Sequence, residues 1–414
     1  MKKTLFILAG FLLLLGGCGE KRVVLYLTDW CGDQEEIAIR EHIALFEKEH
    51  PNIKVEMENV SWWRMLDKLM IATAGGKTPD VTRVSSEWFA PLAAKGALEP
   101  LDEYFKKDNF DIEDFEPKIV NGWCRFNGKT YILPQDIDNH AMYYNKTWFD
   151  KLGIPYPDES WDYAKYIEVC KKFCADTNGD GHLDKWGTTG DPLPENYIYA
   201  FGGRMLSDDN KRCLMNTPEA LAGLQMFQDL VFKYKIAPTR EDSAGVFAAR
   251  QFTNGKAAMY FGGSYESDLT FAKELKGFEW DAAPMPKGPG GRASRLGGSN
   301  YGIMSQSKHK KEAWMLLKHL TSTEFQTKMT AMNQQVPARR SAQAGYLKVN
   351  RPPKNKQAFL DSIRDGVIPP QVVCNQEMKA MLGSCYERVS IGQENIKDIA
   401  DKTVEDVNKL LRTE

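Results

Sequence analysis

Val23-Val24-Leu25-Tyr26-Leu27 begins the part of the chain whose patterning decides the fold. These apolar and β-branched residues follow a polar stretch, as a buried strand does. Thr28-Asp29-Trp30 turns the chain out of that strand. Between 34 and 50, Ile37, Ile39, Ile43, Leu45 and Phe46 recur among charges at helical spacing, and Pro51 stops the helix. Ile53-Lys54-Val55-Glu56-Met57 alternates as a second strand. Helical spacing returns over 61–74 and ends at Gly75-Gly76, and Pro79-Asp80-Val81-Thr82-Arg83-Val84 is a third strand. Strand, helix, strand, helix, strand predicts an α/β protein with a parallel sheet. In such sheets the ligand crevice lies beyond the carboxyl ends of the strands. Trp30 stands just past the first strand, and Glu87 and Trp88 just past the third.

The same rhythm continues downstream. Tyr131-Ile132-Leu133-Pro134, Ala141-Met142-Tyr143-Tyr144 and Ala257-Ala258-Met259-Tyr260-Phe261 read as extended. Residues 161–174, 217–233, 308–320 and 394–412 read as helices, the second opened by Thr217-Pro218-Glu219. With 414 residues, the chain is long enough for two domains. Its composition is that of a globular protein without low-complexity tracts. The formal net charge of −2 leaves no basic block for nucleic acid.

Upstream, Met1-Lys2-Lys3 is basic, Leu5 to Leu15 is almost purely apolar, and Gly16-Gly17-Cys18 follows. That layout is a secretory signal, and the apolar run is too short to span a bilayer. Leu15-Gly16-Gly17-Cys18 resembles a bacterial lipobox. The resemblance implies cleavage before Cys18, a lipid on its thiol and a tether from 18 to 22, with residues 1–17 as the signal peptide. Buried acyl chains would hold the protein to a membrane. Seven further cysteines remain, an odd number that cannot all pair within one chain. Export permits disulfides, but small buried thiols are the simpler expectation.

Asp176-Thr177-Asn178-Gly179-Asp180-Gly181-His182-Leu183-Asp184 has oxygen ligands at alternating positions and Gly at the sixth, as in the first half of an EF-hand loop. Asp176, Asn178, Asp180, His182 (through its carbonyl) and Asp184 form the candidate calcium set. The twelfth position is Gly187, where the motif needs Glu. Two readings stay open: a weak structural calcium site, or a polar loop closed by Asx turns. No other cofactor is called for.

Enzyme signatures fail on spacing. Gly128-Lys129-Thr130 has the tail of a phosphate loop, but Gly122 is one residue too far upstream. Gly297-Gly298-Ser299-Asn300-Tyr301 breaks the nucleophile-elbow pattern at its last position, and no HExxH is present. Aromatic residues are the stronger signal. Trp62-Trp63, Trp88, Trp123, Trp148, Trp161 and Tyr265 stand in polar, Gly-rich or loop-edge settings, where a ring can stack on the C–H face of a sugar while carboxylates and amides bind its hydroxyls, and coincidence with strand ends sets Trp30, Trp88 and Tyr265 apart from ordinary core aromatics.

Several segments, in order, resemble the family 1 extracellular solute-binding proteins of ABC importers, the group that includes maltose-binding proteins. They are Ala74-Gly75-Gly76-Lys77-Thr78-Pro79-Asp80-Val81; Ala141-Met142-Tyr143-Tyr144-Asn145 with Phe149-Asp150-Lys151; Asn254-Gly255-Lys256-Ala257-Ala258-Met259 with Gly263-Ser264-Tyr265; and Gly297-Gly298-Ser299-Asn300-Tyr301-Gly302-Ile303 with Glu312-Ala313-Trp314. Gln135 and Tyr265 depart from the family's usual apolar residue and Trp. The resemblance implies a type II periplasmic-binding fold: two α/β lobes, several chain crossings, and a ligand cleft that closes by a hinge. The expected lobes are 23–137 plus 299–366 and 138–298 plus 367–414. By the same resemblance Glu87, Asp138 and Tyr265 align with sugar-contacting positions. Trp30, Trp62, Trp88, Ser299 and Asn300 fall in cleft loops, and Arg339 is expected to face the cleft. The implied role is capture of a sugar by a monomeric, lipid-anchored protein on the outer face of the membrane and its delivery to a permease. The alternatives are an exported carbohydrate-active enzyme, or a receptor without an importer.

Overall fold

The computed structural model describes residues 22–189, 193–271, 274–333 and 335–413. Cys18 and its signal lie outside the described residues. Two sheets organise the chain. The first is five-stranded, in the spatial order Ile53–Asn59, Val23–Asp29, Val81–Ser85, Ser299–Ile303, Ile132–Pro134. Its first three strands are parallel, as the strand–helix alternation requires. Ser299–Ile303 then pairs antiparallel with both Val81–Ser85 and Ile132–Pro134.

The helix Asp33–Glu49 covers this sheet with Ala38, Ile39, His42, Ile43 and Phe46. Asp33, Glu35 and Glu36 in its first turn suit the positive end of the helix dipole. Ile37 and Leu45, read as part of the apolar stripe, are exposed. They sit on the outer edge of the helix, because the residues at i, i+4 and i+7 from Ile39 already fill the contact with the sheet.

The second sheet has the order Trp280–Ala283, His140–Asn145, Ala257–Gly263, Trp186–Thr188. His140–Asn145 is antiparallel to both neighbours, and Ala257–Gly263 runs parallel to Trp186–Thr188. Every residue of the two central strands is buried, since helices cover both faces. Pro218–Phe232 starts as its sequence suggests: Thr217 caps the first turn and Pro218 takes the position where no N–H is needed. Asn375–Ile391 and Ile396–Leu411 pack on each other and on that helix.

The chain passes between the two sheets at 134–140, at 283–299 and again ahead of the helix Gln357–Asp365. That helix lies on the second sheet, with Phe359 5.7 Å from Tyr143 and Asn355 bonded to Asp281 and Ala282. The expected boundary at 366 is therefore too late, because the apolar face of this helix belongs to the second lobe's core. No helix among the described residues is long and apolar enough to cross a membrane.

Candidate functional site

Between the sheets lies a cleft of about 810 Å³. The carboxyl ends of the first sheet's parallel strands contribute Trp30, the loop from Asn59 into Trp62 and Trp63, and Ser85 to Glu87. The crossing strands contribute Asp136, Asp138 and Gly297 to Ser299, and the second lobe contributes His140, Ser264 and Tyr265. The crossings pack tightly: a Cβ on Gly298 would stand 2.5 Å from the carbonyl oxygen of Asp136, so only glycine fits there.

One wall is aromatic. Trp88 meets Trp30 edge to face at 5.4 Å, Trp62 lies 4.8 Å from Trp88, and Trp63 stands edge-on to Trp62 at 4.7 Å. Trp88 is 2% exposed and forms the buried backing of Trp30 and Trp62.

Beneath Trp30 sits the guanidinium of Arg83, 4.8 Å from the ring centroid. Arg83 is 2% exposed. It donates to the Trp30 carbonyl at 2.6 Å, Glu35 at 2.7 Å, Asp29 at 3.2 Å and Asp136 at 3.4 Å. Burial works against its charge, but Glu35, Asp29 and Asp136 raise its pKa well above the ordinary value. Asp29 also accepts from the Tyr301 hydroxyl at 2.6 Å. Asp136 accepts from the Ser299 N–H at 2.7 Å. Burial, and then the neighbouring carboxylate of Asp138, push the Asp136 carboxyl up. Asp138 is raised by burial against the opposing pull of Arg295 and Arg83.

A second ion cluster ties the lobes. Glu87 accepts from Arg295 at 2.5 Å and from Lys379, and its backbone carbonyl accepts from Asn375. Arg295 also reaches Glu195 at 3.4 Å. Burial opposes the charge on Glu87, yet Arg295 and Lys379 hold its carboxyl below the usual range. His140 is buried, its Nδ1 has no hydrogen-bond partner, and burial and then Arg295 lower its pKa to about 3, so the imidazole is neutral.

Of the residues singled out from the sequence, Trp30, Trp62, Glu87, Asp138, Tyr265 and Ser299 line the cleft. Trp88, Asn300 and Arg339 do not. Trp88 supports the aromatic wall from behind. Asn300 is fully buried, accepting from Trp123 Nε1 at 3.0 Å and donating to the Val84 and Gly298 carbonyls. Its amide ties strands together. Arg339 lies over Phe115 at 4.1 Å and bonds Asp114 and the Thr321 carbonyl. The sequence reading missed Arg83, Arg295, Glu35, Asp136 and His140. Arg83 carried one usable signal, a charge inside a strand whose five residues are all buried.

In the 176–184 loop the acidic side chains accept from nearby N–H and O–H groups. Asp176 accepts from the Gly179 and Gly181 N–H groups, Asp180 from His182, and Asp184 from the Thr177 hydroxyl. Gly179 and Gly181 take positive φ. Among the described residues no three His, Cys, Asp or Glu side chains converge on a common metal position. Cys31, Cys124, Cys170, Cys174, Cys213 and Cys385 are free thiols, and four of these, Cys124, Cys170, Cys213 and Cys385, are buried.

Two lobes joined by repeated crossings around a cleft define a type II periplasmic-binding-type protein. The chain belongs to the bacterial extracellular solute-binding protein family, whose model it matches over residues 32–327. It is 26% identical to an ABC substrate-binding protein of Listeria monocytogenes solved in complex with cycloalternan, with a TM-score of 0.83 over 94% of this chain and 99% of that one. The maltose-bound MalE3 of T. maritima is also 26% identical, with a TM-score of 0.74 over 94% and 100% of the two chains. A maltooligosaccharide ABC transporter solute-binding lipoprotein of Streptococcus pneumoniae is 25% identical, over 80% of this chain and 79% of its own.

Proposed function

We propose that this protein captures a carbohydrate in the interlobe cleft and hands it to an ABC importer. The observation that carries this reading is the pairing, across one cleft, of the Trp30–Trp62 wall with the Asp138 carboxylate and the Tyr265 ring. The indoles offer flat apolar faces to C–H surfaces, while Asp138, Ser299 and His140 offer hydrogen bonds to hydroxyls. The relatives named above, one carrying cycloalternan and one maltose, support the same ligand class.

The cycle proposed is binding without chemistry and without a cofactor. Sugar enters between the lobes, rings and carboxylates engage it, and closure about the crossings expels water. The protein is proposed to act as a monomer, tethered to the outer membrane face by lipid on Cys18. The lipobox and the lipoprotein relative support that placement. The test is a thermal-shift screen of the full chain against mono-, di- and oligosaccharides. A ligand at a hundred times its Kd stabilises by about 2.7 kcal/mol, so a sugar that fits raises the melting temperature. A flat response to every sugar overturns the reading.

A further inference from the structure

We infer that the cleft sorts its ligands by charge, accepting neutral and amino sugars and refusing acidic ones, and that Asp138 is the side chain that sorts them. This rests on the carbohydrate reading above. Residues 136–140 cross between the lobes as extended chain, in which alternate side chains point the same way, and Asp136, Asp138 and His140 all line the cleft. The backbone of Asp138 is pinned to Gly297: its N–H donates to the Gly297 carbonyl at 2.9 Å, and its carbonyl accepts from the Gly297 N–H at 2.8 Å. Its side chain is left for a ligand. Of the four carboxyl groups in the lining, Glu35 and Asp136 accept from Arg83, and Glu87 accepts from Arg295 and Lys379. Asp138 is the one to whose carboxylate no described residue donates.

The surrounding charges do not offset it. Glu87 and Glu195 balance Arg295 and Lys379. Asp29, Glu35 and Asp136 share the single guanidinium of Arg83, which is buried beneath Trp30. His140 adds no charge, since burial and then Arg295 lower its pKa to about 3. The lining therefore holds an excess of negative charge, and Asp138 is its free member. A sugar hydroxyl can donate to that carboxylate, and an ammonium donates while bringing the opposite charge. A ligand carboxylate does neither, and it meets like charge where water is being expelled.

The experiment is calorimetric titration of the full chain at neutral pH with matched neutral, amino and uronic sugars of the gluco, galacto and manno series, as mono- and disaccharides. In each series that binds, the uronic sugar is expected to bind roughly tenfold or more weakly than its neutral parent, and the amino sugar at least as tightly as that parent. Asp138→Asn keeps the shape and removes the charge, so it should narrow the gap between neutral and uronic sugar to about threefold or less. Asp138→Glu keeps the charge and should keep the gap. Each gap is a ratio within one protein, so a general loss of affinity or of folded material cancels. A uronic sugar bound as tightly as its parent, an amino sugar bound as weakly as the uronic one, a gap unchanged in Asp138→Asn, or a gap lost in Asp138→Glu overturns the assignment. Wild-type protein that binds no sugar of any kind overturns the carbohydrate reading itself, a result distinct from the other four.

Discussion

His42 and His319 stack with ring centroids 4.0 Å apart, and each imidazole bonds through Nε2 to the other's backbone carbonyl, at 3.1 and 3.0 Å. A carbonyl only accepts, so both rings carry a proton on Nε2. The pair clamps the helix Asp33–Glu49 to the helix Lys310–Leu320. Burial and then the partner ring lower the pKa of His42 to about 4, and burial lowers that of His319. A histidine depressed in the folded state stabilises the fold above its unfolded value of about 6.5, and that contribution is lost as pH falls from there toward 4. Urea midpoints should therefore fall over this window in the wild type, and the His42→Gln, His319→Gln double variant should flatten the slope.

Removing Arg83 should destabilise the first lobe rather than merely weaken binding. Asp29, Glu35 and Asp136 would keep their buried carboxylates and lose their common counter-ion. Breaking a buried pair from one side costs about 3–5 kcal/mol. Chemical denaturation of Arg83→Met should show a loss of that order, and an unchanged midpoint would contradict the role given to the cluster.

Trp88 and Trp62 should separate stability from affinity. Trp88→Ala empties a buried site behind two other indoles, so a stability loss of about 3–5 kcal/mol is expected, with affinity falling as a consequence. Trp62→Ala removes a half-buried cleft wall and should cost about 1–3 kcal/mol of binding with little change in melting temperature. Paired calorimetry and thermal melts distinguish the two patterns.

Asp138 should give ligand affinity a pH dependence. Burial lifts its carboxyl above the ordinary carboxylate range, so it protonates at a higher pH than a free aspartate. A sugar whose hydroxyls donate to the carboxylate binds best above that point and more weakly as pH falls through it. Asp138→Asn should lower affinity by about 1.5–3 kcal/mol, the scale of a hydrogen bond to a charged group, and remove the acid-side decline.

Much of the fold was legible because apolar period and helix stops are local signals. Val23–Asp29, Ile53–Asn59, Val81–Ser85, Pro218–Phe232 and Ile396–Leu411 all lie within a few residues of their sequence-predicted bounds. Ser299–Ile303 was read as a motif and not as a strand. It carries Ser, Asn and Gly where a strand signal needs branched side chains, and its pairing is supplied by distant neighbours. The site was half legible for the same reason. Tryptophans at strand ends announce themselves, but Arg83 and Arg295 gain meaning only beside Asp29, Glu35, Asp136 and Glu87, and in each case the folded chain brings those partners in from far along the sequence. Trp88 and Arg339 show the converse. A residue read as facing the cleft turns away from it when rings or carboxylates elsewhere offer a better partner.

The position of Ser299–Ile303 in the middle of the first sheet also bears on how the protein is made. A nascent chain on the ribosome can supply Val23–Asp29, Ile53–Asn59, Val81–Ser85 and Ile132–Pro134 early, yet Ile132–Pro134 has no strand to pair with in that sheet until Ile303 has been synthesised. Sheets that wait for a distant strand close slowly. The first lobe is thus kept from finishing its fold until most of the chain exists.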